Sequence, residues 1–230
     1  MRRPLLLLVL AGLFCVPAAA QISPPDPLAT RLVLTPTARP MPPGHVALGS
    51  HAVVLPHASV GLHTRLSVTG GVSALPLVDD HLGYLAAKWV VHTDGDRSVA
   101  VGGLVMTDVF GSSRESWLDL TPDEPAAVFY AVTTLGPPTR AVTFGVYTLP
   151  IFWQLGALVG FERELGPGLK WVSENHIVDL IDTEFITSQG LRFYGRRLAI
   201  DLGVVAVPTE WSDNTAIGPY LSVAYNFGPR

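Results

Sequence analysis

The chain has 230 residues, 48% of them hydrophobic and only 15% charged, with 15 Lys and Arg against 19 Asp and Glu. That acidic balance offers nothing to nucleic acid, and so low a charged fraction, where roughly 25% is usual in soluble domains, argues against an ordinary water-soluble protein. Membrane helices are excluded as well. After residue 20 no apolar run reaches the ~18 residues a spanning helix needs, and the longest candidate, Tyr147 to Phe161, is broken by Pro150 and Gln154.

Residues 1–20 read as a cleaved export signal. Arg2 and Arg3 precede the apolar run Pro4 to Val16, and Ala18-Ala19-Ala20 supplies the small-residue site before Gln21. Removing it takes two of the 15 basic residues, leaving 13 against 19 acidic, a net charge near −6. It also takes the single cysteine, Cys15, which bulky Phe14 makes a poor lipidation site. No disulfide framework, thiol nucleophile or thiolate metal ligand then remains. Residues 21–30, QISPPDPLAT, are proline-rich and expected as a flexible lead-in to a domain spanning 31–230.

Twelve strand-like runs follow, at 31–38, 45–62, 66–76, 83–93, 98–109, 126–135, 140–149, 154–164, 168–178, 187–194, 197–208 and 216–227. The second is long and contains Pro56, which marks a break into two pieces or a bulge. Alternate joints are tight: His63-Thr64-Arg65, Asp94-Gly95-Asp96-Arg97, Gly136-Pro137-Pro138, Gly166-Pro167 and Tyr194-Gly195-Arg196-Arg197. Their Gly, Pro and Asp residues supply the backbone angles short turns require. The joints between, 77–82, 111–125, 179–186 and 209–215, are longer or more polar; Pro150–Trp153 is the short exception.

The hairpin 188–207 displays the pattern most fully. Leu191 and Phe193 alternate with Arg192 and Tyr194, and Leu198, Ile200, Leu202 and Val204 alternate with Ala199, Asp201 and Gly203. Period two over this length makes a strand with unlike faces, and Arg192 and Asp201 fall nearly opposite each other, placed for a cross-strand ion pair. Other runs agree. Leu66, Val68 and Val72 oppose Ser67, Thr69 and Ser73; Leu85, Trp89 and Val91 oppose Lys88 and His92; Val99, Val101 and Val105 oppose a face ending in Asp108; Leu169, Trp171 and Ile177 oppose Lys170, Glu174 and His176. The run 126–135 does not alternate cleanly. Glycine pairs such as Gly70-Gly71 and Gly102-Gly103 read as bulges or tight curvature within strands. The aromatics Tyr84, Phe129, Tyr130, Tyr147, Phe152, Trp153, Phe193, Tyr225 and Phe227 lie towards run ends, where interfacial girdles are expected.

Such a chain fits a closed barrel in lipid, since only helices and closed barrels satisfy backbone hydrogen bonds there. In this pattern, and in a last run Tyr220-Leu221-Ser222-Val223-Ala224-Tyr225-Asn226-Phe227 that alternates and ends on an aromatic, the chain resembles the bacterial outer-membrane β-barrel proteins as a class. Gly228-Pro229-Arg230 follows Phe227, where that class normally ends on the aromatic. The resemblance implies an all-β fold, a transmembrane antiparallel up-and-down β-barrel of about 12 strands in the outer membrane. It further implies lipid and the barrel-insertion machinery as partners, small solutes as cargo, short periplasmic turns and both termini on the periplasmic side.

The polar lumen candidates are Lys88, Asp108, Lys170, Glu174, His176, Arg192 and Asp201, because charges in a barrel must avoid lipid. Mixed signs favour an interior locked by mutual hydrogen bonds over a charge-selective pore. Histidines at 45, 51, 57 and 63 share the lumen face, but six residues of strand span ~20 Å, too far for a shared metal. No cofactor, metal or catalytic residue is assigned. The expected role is structural or passive transport through a narrow pore. A lipid hydrolase using His176 and Ser188 is one alternative; Ser173 fails beside His176 because the two lie on opposite faces. A soluble periplasmic lipocalin-like barrel is the other, and would be expected to use about eight strands.

Overall fold

The computed structural model describes residues 25–51, 53–73, 82–108, 125–149, 154–178, 185–208 and 215–228. The expected export signal, most of the longer joints, Phe152 and Trp153 lie outside these residues. Twelve antiparallel strands close into a barrel: β1 Val46–His51, β2 Leu55–Gly61, β3 Leu66–Val72, β4 Leu82–Asp94, β5 Arg97–Asp108, β6 Ala126–Leu135, β7 Arg140–Leu149, β8 Gln154–Gly166, β9 Leu169–Ile177, β10 Phe185–Tyr194, β11 Leu198–Pro208 and β12 Thr215–Asn226. Each strand pairs with its sequence neighbours, and β1 closes on β12 through Ala47 to Ser50 against Val223 to Asn226. Closure leaves no strand edge unpaired. No helix among the described residues is long and apolar enough to cross a membrane.

The twelve strands are not the twelve runs of the sequence pattern. The run 31–38 is not a wall strand; it folds inside the barrel. The run 45–62 is two strands, turning between His51 and Leu55 just before Pro56. One strand fewer and one more leave the total unchanged. The lead-in reading of 21–30 is likewise corrected for its described part. Residues 25–30 pack within the lumen, with Leu28 buried and Asp26 ion-paired, because wall charges reach them, as set out below.

The outer surface carries the large apolar side chains of the alternating pattern. Leu85 (60% exposed) and Leu202 (47%) are typical of a set that includes Val101, Phe144, Val146, Leu155 and Leu221. A continuous apolar exterior of this kind is stable against lipid and not against water. One island interrupts it: Thr187 donates to Asn175 (2.8 Å), Gln189 to Ser173 (2.7 Å) and Asn175 to Ser173 (3.0 Å). These residues share the outward parity of Trp171 and Leu191, so Ser173 lies on the opposite side of the wall from His176.

Tight turns gather at one end of the barrel. Gly136 and Gly168 take φ of 106° and 72° there, angles glycine adopts without strain. In β4 a bulge at Val90/His92 shifts the alternation, so His92 pairs with Val99 and is exposed, not lumenal beside Lys88.

Candidate functional site

The lumen is occupied by the chain's own residues 25–44. Within them, Thr37 N–H donates to Thr30 O (2.9 Å) and Leu32 N–H to Thr35 O (2.8 Å), with a bridge between Arg31 and Pro36, so 30–37 forms a narrow loop. Leu32, Val33 and Ala38 of this plug pack with Val90, Val132, Leu158, Val172 and Tyr220 of the wall. Leu32 lies directly on Gly160, where a Cβ would come within 2.1 Å of it. The plug sits at the tight-turn end, where Arg39 donates to Pro137 O (3.3 Å) and Gly44 N–H to Gly61 O (2.8 Å).

Because a plug of irregular backbone carries unpaired peptide groups, the wall must satisfy them, and three wall charges do. Lys88 donates to Thr30 O (3.2 Å), Thr37 O (3.0 Å) and Arg39 O (2.8 Å), filling the three donor positions of an ammonium. Arg192 donates to Leu28 O (2.9 Å), Arg31 O (3.2 Å) and Leu32 O (2.6 Å). In the opposite sense, the Glu174 carboxylate accepts the N–H groups of Val33 (2.9 Å), Leu34 (2.9 Å) and Thr35 (3.2 Å), and also His176 Nε2 (2.7 Å). Hydrogen bonds to an ionised group in a buried site are the strong kind.

Ion pairs complete the anchorage. Arg192 holds Asp201 through two bonds, Nε to Oδ1 at 2.7 Å and Nη2 to Oδ2 at 3.0 Å, directly across β10 and β11. Lys170 reaches Asp26 of the plug at 2.5 Å and Glu162 at 3.2 Å, and plug Arg39 reaches Glu162 at 2.6 Å. Burial alone would raise the Asp26 carboxyl, but the charges of Arg192 and Lys170 outweigh it and hold its pKa at about 2 instead of 3.8.

The candidates thus separate by role. Lys88, Lys170, Glu174 and Arg192 reach the plug, Asp201 pairs with Arg192, and His176 supports Glu174. Asp108 ends β5, and its side chain lies outside the description. The sequence reading missed Asp26, Arg31, Arg39 and Glu162. The first three sit in segments read as lead-in, strand or the joint after it, and their charges in so lightly charged a stretch were the available signal.

Beyond the tip of the plug the described residues leave the lumen open. A cavity of about 460 Å³ lies between Arg31, Leu34 and Thr35 of the plug and a wall that includes Tyr84, Tyr130 and Tyr147. These tyrosines were expected in an interfacial girdle, but parity turns them inward. Each lies opposite a glycine on the adjacent strand, Gly71 by Tyr84, Gly102 by Tyr130 and Gly156 by Tyr147. A Cβ at Gly102 would sit 2.3 Å from the Tyr130 ring, so the strand glycines make room for rings. His51 and His57, separated by the turn after β1, stack with centroids 4.3 Å apart; the ~20 Å expected for a straight strand does not apply. Among the described residues no group of three or more His, Cys, Asp and Glu side chains is placed to hold a metal.

No family model matches the sequence, and no curated protein matches it significantly. Solved structures do. A KdgM porin in complex with disordered oligogalacturonate superposes with a TM-score of 0.57 at 9% identity, covering 80% of this chain and 98% of that one. A second KdgM porin structure gives the same score and coverage at 8% identity. The chain has the KdgM porin fold. At such identity the likeness is one of fold: a closed all-β, twelve-stranded antiparallel barrel. Twelve strands also set this barrel apart from the lipocalin-like alternative.

Proposed function

We propose that this protein is a bacterial outer-membrane channel for passive passage of small solutes, kept narrow by its own N-terminal segment. The observation that carries the reading is the lumenal seat of residues 25–44, held by Lys88, Glu174 and Arg192 through plug backbone. The apolar exterior supports the membrane placement, and a last strand alternating to Phe227 supports recognition by the insertion machinery. One KdgM porin structure contains an oligogalacturonate, which supports small solutes as the class of cargo. Against the hydrolase reading stands the engagement of His176 with Glu174: Ser188 lies opposite Glu174 on the same lumenal face, but among the described residues no hydrogen bond joins it to His176.

The test is single-channel recording in planar bilayers, after folding is confirmed by gel mobility without boiling. The intact protein is expected to give small or rare current steps, and a variant lacking residues 25–40 large, steady ones. Equal conductance from both would remove the plug from the account. A folded deletion variant that passes no current would remove the channel.

A further inference from the structure

Among the described residues, the lumenal Arg31 is a buried cation with no carboxylate in direct contact. Arg31 is 8% exposed. Its Nη1 bonds the His51 ring and its Nη2 the Ser222 hydroxyl, while Nε has no partner. Arg39, Lys170 and Arg192 each have a carboxylate, and Lys88 has three carbonyls; among the described residues Arg31 has no ion pair. A buried charge without a counter-ion is strongly unfavourable unless something supplies one.

Arg31 lines the 460 Å³ cavity, and so do Thr35 and Tyr84, each of which has a buried hydroxyl without a partner beside it. Buried polar groups are almost always paired, so several orphans around one cavity mark where a ligand's polar atoms belong. Most of the remaining surface is apolar, with Leu104, Val128, Val132 and Leu158 among its lining beside Ser59, Thr69, Tyr130 and Tyr147, and the volume is within the range of small-molecule sites.

We propose that this cavity binds a small organic carboxylate with an apolar body, its carboxylate accepting from Arg31 and Tyr84 and its body lying against the aliphatic wall. A sugar acid is a poorer fit, because its many ring hydroxyls would lie against a surface that is mostly apolar. Arg31, Leu34 and Thr35 belong to the plug and Tyr84 and His57 to the wall, so the ligand bridges the two and steadies the plug in its seat. The proposal rests on the plugged-lumen reading, but binding is measured independently of conductance, so either can fail alone.

The experiment is isothermal titration calorimetry of the full mature chain in lipid nanodiscs with 3-phenylpropionate, 3-phenylpropanol and galacturonate. The acid is expected to bind at a single site about tenfold or more tighter than the alcohol, and tighter than galacturonate. Tyr84→Phe removes only an unpartnered hydroxyl and is expected to weaken the acid about threefold to tenfold while leaving the folded gel mobility unchanged. Arg31→Gln is expected to abolish the preference for acid over alcohol. Equal binding of acid and alcohol, tighter binding of galacturonate, or no binding by the folded protein would overturn the proposal. Wild-type affinity in Tyr84→Phe would remove the hydroxyl from the site and overturn it as stated.

Discussion

The inside of this barrel has two unlike halves. From β8 to β11 the wall presents Glu162, Lys170, Glu174, Arg192 and Asp201, and the plug is fastened there almost without gaps. From β2 to β7 it presents Ser59, Thr69, Tyr84, Tyr130 and Tyr147, with Lys88 and Thr134 hydrogen-bonding the plug, and there the cavity remains. The outer surface is apolar on both sides apart from the polar island on β9 and β10. Two walls of the same alternation thus serve different ends: charges that can satisfy peptide groups hold irregular backbone in place, while rings laid over glycines leave shaped space.

The sharpest way to break this comparison is to remove one charge from the fastened half. Arg192→Met leaves Asp201 buried without its cation and the Arg31 and Leu32 carbonyls without a donor, and is expected to cost about 3–5 kcal/mol in urea unfolding followed by tryptophan fluorescence. It should also raise the conductance. On the hollow half, Tyr84→Phe should change stability little, because its hydroxyl has no partner to lose. Comparable losses from both would mean that the halves do not differ as described.

The exterior should ignore the division. Leu85→Arg on the hollow side and Leu202→Arg on the fastened side both place a charge on the apolar face. Each is expected to destabilise folding into bilayers by about 2–4 kcal/mol near the midplane. A large difference between them would show that one of these faces is not against lipid.

The gentlest probe is pH. The Asp26 carboxyl has its pKa lowered from 3.8 to about 2 in the folded protein, so its contribution is complete above 3.8 and is lost as pH falls through about 2. That contribution is about 2 kcal/mol by linkage. Unfolding midpoints should therefore drop between these limits, and Asp26→Asn should remove that part of the drop. An unchanged profile in the variant would mean that Asp26 does not anchor the plug.

Much of this was legible in residue order, and the reason is local. Side-chain direction in a strand repeats every two residues, so the alternation through 188–207 placed Leu202 outside and Arg192 beside Asp201 with no knowledge of the fold. Turn residues such as Gly136 and Gly168 punctuated the strands for an equally local reason. The closed all-β barrel of about twelve strands followed from these together.

What occupies the lumen was settled only in three dimensions. The run 31–38 has the composition of a strand, yet its peptide groups are satisfied by Glu174 and Arg192, about 140 and 160 positions away in the chain. His51 and His57 meet because the chain turns between them, and the rings of Tyr84, Tyr130 and Tyr147 lie flat to the wall because glycines on neighbouring strands leave them room. Periodicity determines which face a side chain takes, but not which distant group it finds there. Burial of peptide groups and charges inside a closed wall decided that, since each had to find a partner among whatever the barrel brought within reach.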